Sequence, residues 1–172
     1  VGNPFVTEQC RTVGQGEVLG VTTVAKSIYS GVFGRYPVYA FSTDGIYAVA
    51  YKAKGDYKDA QLISHRRLGG PITSSGEEVY FVSSQGELCK LSGKDVRVLD
   101  VTSDVVQLQW INAYGELMAR KKDDTIEMYM PDGRRYVRDS KLVRIFGDIH
   151  NALGQDCEGN LVNLNKELTA WM

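Results

Sequence analysis

One phrase recurs along this chain and constrains its fold more than any other feature. An apolar run reaches a polar turn that ends in glycine, and a second alternating run follows. It is found at Tyr39-Ala-Phe41-Ser-Thr-Asp-Gly45-Ile-Tyr-Ala-Val, Tyr80-Phe-Val-Ser-Ser-Gln-Gly86-Glu-Leu-Cys-Lys-Leu, Met128-Tyr-Met-Pro-Asp-Gly133-Arg-Arg-Tyr-Val and Ala152-Leu-Gly-Gln-Asp-Cys-Glu-Gly159-Asn-Leu-Val. Glycine enters positive φ without the steric penalty that a Cβ brings, so a turn ending this way joins two antiparallel strands. Four such hairpins predict a stacked, repeated β-architecture.

The stretches between the hairpins agree. Glu17 to Ala25 is rich in β-branched residues and flanked by Gly14, Gly16 and Gly20, which favours a strand over a helix. Strands are expected at Val38–Phe41, Ile46–Lys52 and Ala60–Ser64, and the pattern restarts after Leu68-Gly-Gly-Pro71, whose glycines and proline punctuate the chain. Beyond it come Glu78–Ser83, Glu87–Leu91 and Val96–Val101. Val105–Ile111, Glu116–Lys121, Thr125–Met130 and Arg134–Arg138 then form a four-stranded meander, and Leu142–Phe146, Ile149–Leu153, Asn160–Asn165 and Leu168–Met172 close the chain. Helical periodicity is missing throughout.

The turn glycines lie about 41, 47 and 26 residues apart, against roughly 40–50 for propeller blades. The expectation is an all-β chain forming an irregular or partial β-propeller of three to four meanders, with repeat boundaries near 70, 103 and 140. A two-sheet β-sandwich is the alternative. The 172 residues, 43% hydrophobic and 24% charged, fit one soluble β-rich domain or a piece of a larger chain. The start at Val1-Gly-Asn-Pro, without Met or signal-like segment, favours a processed or excised piece.

Composition also bounds function. Twenty Lys and Arg against 21 Asp and Glu give a net charge of −1, so no global basic field attracts nucleic acid. No apolar run approaches the ~20 residues of a membrane span, and no membrane insertion is expected. Cys10, Cys89 and Cys157 are too widely spaced for a disulfide framework or a zinc knuckle; Cys89 and Cys157 read as small buried or half-buried thiols, and one pairing of cysteines stays open.

Candidate chemistry is sparse. Ile145-Phe-Gly-Asp148-Ile-His150-Asn resembles the first metal-binding element of calcineurin-like phosphoesterases, but only 22 residues follow His150 and none is His. A dinuclear site needs more ligands than that, so the segment reads as a turn. Gln155-Asp-Cys-Glu-Gly-Asn160 lacks EF-hand spacing and reads as a hairpin turn. His65 stands beside Arg66 and Arg67 with no nucleophile motif nearby. Basic pairs at Arg66-Arg67, Lys121-Lys122 and Arg134-Arg135 would make an interaction stripe if the fold aligned them. The neighbouring Asp123, Asp124, Asp132 and Asp139 favour a mixed-charge surface instead. No catalytic residue, metal or cofactor is expected. Ten tyrosines, with Tyr36, Tyr39, Tyr47, Tyr51 and Tyr57 close in sequence, suit half-buried strands and subunit interfaces alike.

Ser30-Gly-Val-Phe33-Gly34-Arg-Tyr-Pro37-Val-Tyr39-Ala-Phe41, followed by Asp44-Gly45-Ile-Tyr-Ala-Val49, resembles phage and prophage virion proteins of gut bacteria. Ala60–Ser64, Pro71-Ile72 and Val79–Leu88 continue the resemblance in order, over about Gly14 to Leu99. It implies a β-rich tail or head-to-tail connector component that works by assembly, with Phe33, Gly34, Pro37, Tyr39, Phe41 and Gly45 as structural signature positions. The implied partners are other virion subunits or further copies of the chain, located in the virion or, before assembly, in the bacterial cytoplasm. Two alternatives stay open: a carbohydrate-binding or carbohydrate-processing β-domain, and a scaffold propeller of the bacterial envelope.

Overall fold

A computed structural model describes residues 12–24, 38–49, 60–102, 104–138, 141–147 and 152–164. All fifteen of its elements are β-strands. β1 (Val18–Thr23), β2 (Val38–Ser42), β3 (Gly45–Val49) and β4 (Gln61–Ser64) pair in that order as one antiparallel sheet. β5 (Leu68–Ser74), β6 (Val79–Ser83), β7 (Glu87–Ser92) and β8 (Asp95–Val101) make the second. β9 (Val105–Ile111), β10 (Glu116–Lys121), β11 (Ile126–Tyr129) and β12 (Arg135–Arg138) make the third, and β13 (Leu142–Gly147), β14 (Ala152–Asp156) and β15 (Leu161–Asn163) the fourth. Each sheet is a simple meander, and none closes on itself. The first strands adjoin in sequence, β1 against β5, β5 against β9 and β9 against β13, as inner strands do around a propeller axis. The fold is an irregular, partial β-propeller.

Three apolar cores hold the sheets face to face. Tyr39, Phe41, Ile46 and Ala48 of the first sheet meet Val79, Phe81, Cys89 and Leu91 of the second. Tyr80, Val82 and Leu88 on the reverse of that second sheet meet Leu108, Trp110, Leu117, Ala119 and Tyr129 of the third. Ile111, Met118, Ile126 and Met128 then meet Leu142, Ile145 and Ala152 of the fourth. Because side chains alternate across a strand, β6 sends Val79 and Phe81 one way and Tyr80 and Val82 the other. Every residue of β6 is buried. Aromatic pairs stitch the seams: Phe41 meets Phe81 edge to face at 5.0 Å, and Tyr80 stacks on Trp110 at 5.4 Å. Full burial of such a ring contributes about 1.5–3 kcal/mol.

Two expectations about local structure are corrected. Leu68-Gly-Gly-Pro71 does not interrupt the chain but opens β5. Pro71 is tolerated because β5 is the edge of its sheet, where a missing N–H breaks no ladder. The glycines answer a close approach: a Cβ on Gly69 would sit 2.4 Å from the Cα of Ser84. In the fourth sheet the central strand runs on to Asp156, past the Leu153 end of the expected Ile149–Leu153 strand, whose first three residues lie outside the described residues. Gly154 belongs to that strand because any Cβ there would strike the Leu142 side chain at 2.6 Å.

Candidate functional site

The seam between the first and second sheets opens at one end into a polar cleft of about 590 Å³. Two segments some twenty residues apart build it. The first is the connection from β4 to β5, Ser64 to Arg67; the second is the β6–β7 turn, Ser83 to Glu87. The backbone N–H of Ser84 donates to the carbonyl of Arg67 at 2.8 Å, which locks the segments together. Gly69 permits this approach, as described above. Gly86 occupies φ 74° within the turn, a conformation that L side chains rarely adopt.

Ser83 organises the turn. It is buried, and its Oγ accepts from the backbone N–H groups of Gln85 at 3.3 Å and Glu87 at 3.2 Å. The same hydroxyl lies 3.2 Å from Glu87 Oε2. That carboxylate in turn receives the Arg66 guanidinium in an ion pair. Arg66 is further set by its backbone N–H, which donates to Ser64 Oγ at 3.1 Å. His65 and Arg67 stand exposed at the rim, and among the described residues Arg67 pairs with no acid. The lining of Ser64, His65, Arg66, Arg67, Ser83, Ser84, Gln85 and Glu87 includes no aliphatic side chain, and its one aromatic ring is the His65 imidazole.

A second polar cluster lies across the next seam and is shut. Glu127, with only 8% of its side chain exposed, accepts from Lys121 Nζ at 2.8 Å. The Tyr129 hydroxyl sits between Glu127 Oε2 at 2.7 Å and Asp100 Oδ2 at 2.9 Å. Arg135 closes the cluster, 2.7 Å from Asp100 and 3.6 Å from Glu127. Burial, helped by the two carboxylates, pushes the Tyr129 hydroxyl far above its ordinary range. A phenol has one hydrogen and serves one carboxylate at a time, so the guanidinium is what keeps two acids compatible here.

The remaining residues singled out in the sequence are dispersed. Tyr39 and Phe41 lie in the first core, with the Tyr39 hydroxyl donating to the Gly93 carbonyl at 2.8 Å. Burial pushes Tyr39 up to about 12. Gly45 opens β3 at φ 150°, Gly133 turns β11 into β12 at φ 92°, and Gly159 turns β14 into β15 at φ 89°. Arg66 and Arg67 reach the cleft, whereas Arg134 pairs with Asp132 at 2.6 Å and Arg135 belongs to the buried cluster on another sheet. Arg120 and Lys121 are likewise held by Asp124 and Glu127. Phe33, Gly34, Pro37, Asp148, His150 and Cys10 lie outside the described residues. In the Gln155–Asn160 loop, Asp156 spends its oxygens on the backbone N–H groups of Glu158 and Asn160 at 2.9 and 2.8 Å. Among the described residues no three His, Cys, Asp or Glu side chains gather as metal ligands would.

Sequence reasoning missed Ser83, Ser84, Gln85 and Glu87 as cleft residues. Their only signal was the hydrophilic turn itself, which marks any hairpin. Comparisons with known proteins add little to this geometry. No family model matches the chain, and no curated protein matches it. Among solved structures, the computationally designed Ika4 protein is similar at 11% identity and TM-score 0.49, over 88% of this chain and 93% of that one. A structural genomics protein of unknown function from Bacteroides thetaiotaomicron VPI-5482 is similar at 12% identity and TM-score 0.46. That match covers 74% of this chain and 44% of the other, so the chain spans less than half of that protein's length. Likeness at this level carries no functional argument.

Proposed function

We propose that this chain is a non-enzymatic assembly module that acts by protein–protein contact. The observation that carries the reading is the contrast between covered and open sheet faces. Among the described residues, both faces of the second and third sheets pack against neighbours, while the first and fourth sheets pack on one face only. On the first, Val18 and Val21 are 43% and 59% exposed, and on the fourth, Phe146 and Leu161 are 40% and 62% exposed; the edge strands of the middle sheets also expose Val101 to 74% and Val137 to 64%. Apolar side chains at both ends of a stack suit continuation by the sheet of a neighbouring subunit. The resemblance of Ser30–Val49 to virion proteins supports a phage or prophage tail or connector as the setting. On this reading the protein resides in the virion, and in the bacterial cytoplasm before assembly; an envelope scaffold is the competing location.

Light scattering and negative-stain microscopy of the whole gene product test this. Rings or larger assemblies are expected, and Val21→Glu combined with Phe146→Glu should disperse them. A gene product that stays monomeric and never enters a particle would sink the reading. Neighbouring genes that encode envelope proteins in place of phage proteins would move it to the envelope.

A second reading, carbohydrate binding, is favoured by the all-polar cleft. The cleft holds a single carboxylate, Glu87, whereas glycoside hydrolysis uses two about 5–9.5 Å apart. Binding, without hydrolysis, is therefore the version it supports. Glycan-array screening tests this reading, and failure of every glycan to bind would end it.

A further inference from the structure

We infer that the cleft between the β4–β5 connection and the β6–β7 turn is a binding site for an acidic sugar, a hydroxylated ring bearing a carboxylate, with Arg67 receiving the carboxylate. The inference rests on the second reading above and narrows its substrate class. At about 590 Å³ the cleft has room for one or two sugar rings, within the roughly 300–1,000 Å³ usual for small-ligand sites.

The lining decides the chemistry. The lining holds no aliphatic side chain and its one ring is the His65 imidazole at the rim, so the cleft offers a neutral sugar or a hydrophobic ligand little apolar surface to pack against. Affinity has to come from charge and directed hydrogen bonds. Arg67 provides an exposed planar fork that grips a carboxylate through two parallel N–H donors. Arg66 is held back by Glu87, so it presents a fixed guanidinium edge and not a free cation. Glu87 supplies what a simple anion site would lack, a carboxylate acceptor for ligand hydroxyls. Ser84 and Gln85 add groups that both donate and accept. A guanidinium for the acid and a pre-set acceptor for the hydroxyls together match a uronic acid better than phosphate, acetate or glucose.

The test is titration of the isotopically labelled protein with glucuronate, glucose and acetate, followed through backbone amide shifts. Glucuronate should saturate below roughly 10 mM and move the amides of Arg67, Ser84 and Gln85. Glucose and acetate should each bind at least about tenfold more weakly. Arg67→Ala should lose about tenfold in glucuronate affinity, Arg67→Lys should recover part of it, and Arg134→Ala should change nothing, because Arg134 lies in the β11–β12 turn and pairs with Asp132 there. Arg67 is exposed, so its replacement leaves the fold intact; amide spectra of the variant verify that directly. Glucose binding as tightly as glucuronate would overturn the acid requirement while leaving carbohydrate binding standing. Acetate matching glucuronate reduces the cleft to a general anion site and overturns the sugar. No saturation by glucuronate or glucose, or shifts mapping elsewhere, removes both this inference and the reading beneath it.

Discussion

The first and second seams use the same chemical parts and put them to opposite use. At the first, Arg66 and Glu87 pair at the edge of an open cleft, with side chains 34% and 19% exposed. At the second, Lys121, Asp100 and Tyr129 gather around the Glu127 carboxylate, only 8% exposed, and Arg135, itself 51% exposed, caps them from the solvent side. Water makes the difference. A solvated pair contributes little to stability and leaves its groups available to a ligand, whereas a dry pair is costly to break and has nothing to spare. The comparison separates a place that can bind from a place that can only hold.

The sharpest probe of that contrast lies inside the first seam. Cys89 is two residues from Glu87 yet fully buried, and burial pushes its thiol up to about 11. Cys157 is exposed. Peptide-mapped maleimide labelling at neutral pH should modify Cys157 at least on the order of a hundredfold faster than Cys89, since the thiolate is the nucleophile. Comparable rates would mean that the seam is open along its length and not only at the cleft.

Breaking the second seam should be expensive. Glu127→Ala strands Lys121 and takes an acceptor from Tyr129, while Arg135 keeps Asp100; a loss of about 3 kcal/mol in urea unfolding is expected. Glu87→Gln, at the solvated pair, should cost about 1 kcal/mol or less. Equal losses would erase the distinction between the seams.

The smallest effect concerns Asp44, in the β2–β3 turn. Its carboxylate accepts from the Gln15 backbone N–H at 3.0 Å and the Tyr47 hydroxyl at 2.8 Å. These bonds, the Gln15 N–H first, hold its pKa well below the ordinary carboxylate range. A lowered folded-state value means stabilisation fully present above the unfolded value of about 4 and lost as pH falls below it. Melting temperatures should therefore fall more steeply below about pH 4 in the parent than in Asp44→Asn. Parallel pH profiles would show that the turn clamp contributes nothing.

The meanders were legible because turn chemistry is local. Gly86, Gly133 and Gly159 take positive φ where the hairpin phrases called for it, and β9 to β12 fall where alternation put them. What the pattern could not reveal was which neighbour each face would meet. In β6 both faces are covered, so alternation vanishes just where packing is densest. Leu68-Gly-Gly-Pro71 was misleading for a related reason: glycines that admit Ser84 look, in sequence, like glycines that end a strand. The cleft was less legible still. Arg67 and Ser84 belong to different strand connections, and it is the pairing of β5 with β6, Leu68 opposite Ser83, that brings them within a hydrogen bond. Polar residues in turns carry no mark of the loop they will face.

The succession of cores, each formed between sheets adjacent in sequence, has a mechanical consequence. A stack coupled chiefly through nearest neighbours behaves as a one-dimensional array, in which stability is roughly a sum of units and the joints between them. Among the described residues, the second and third sheets each share two joints, and the first and fourth share one. Amide hydrogens of β6 and β10 should therefore exchange with solvent last. Opening should start from the two ends, so a subunit docked on either end sheet would slow exchange there first and leave the centre unchanged.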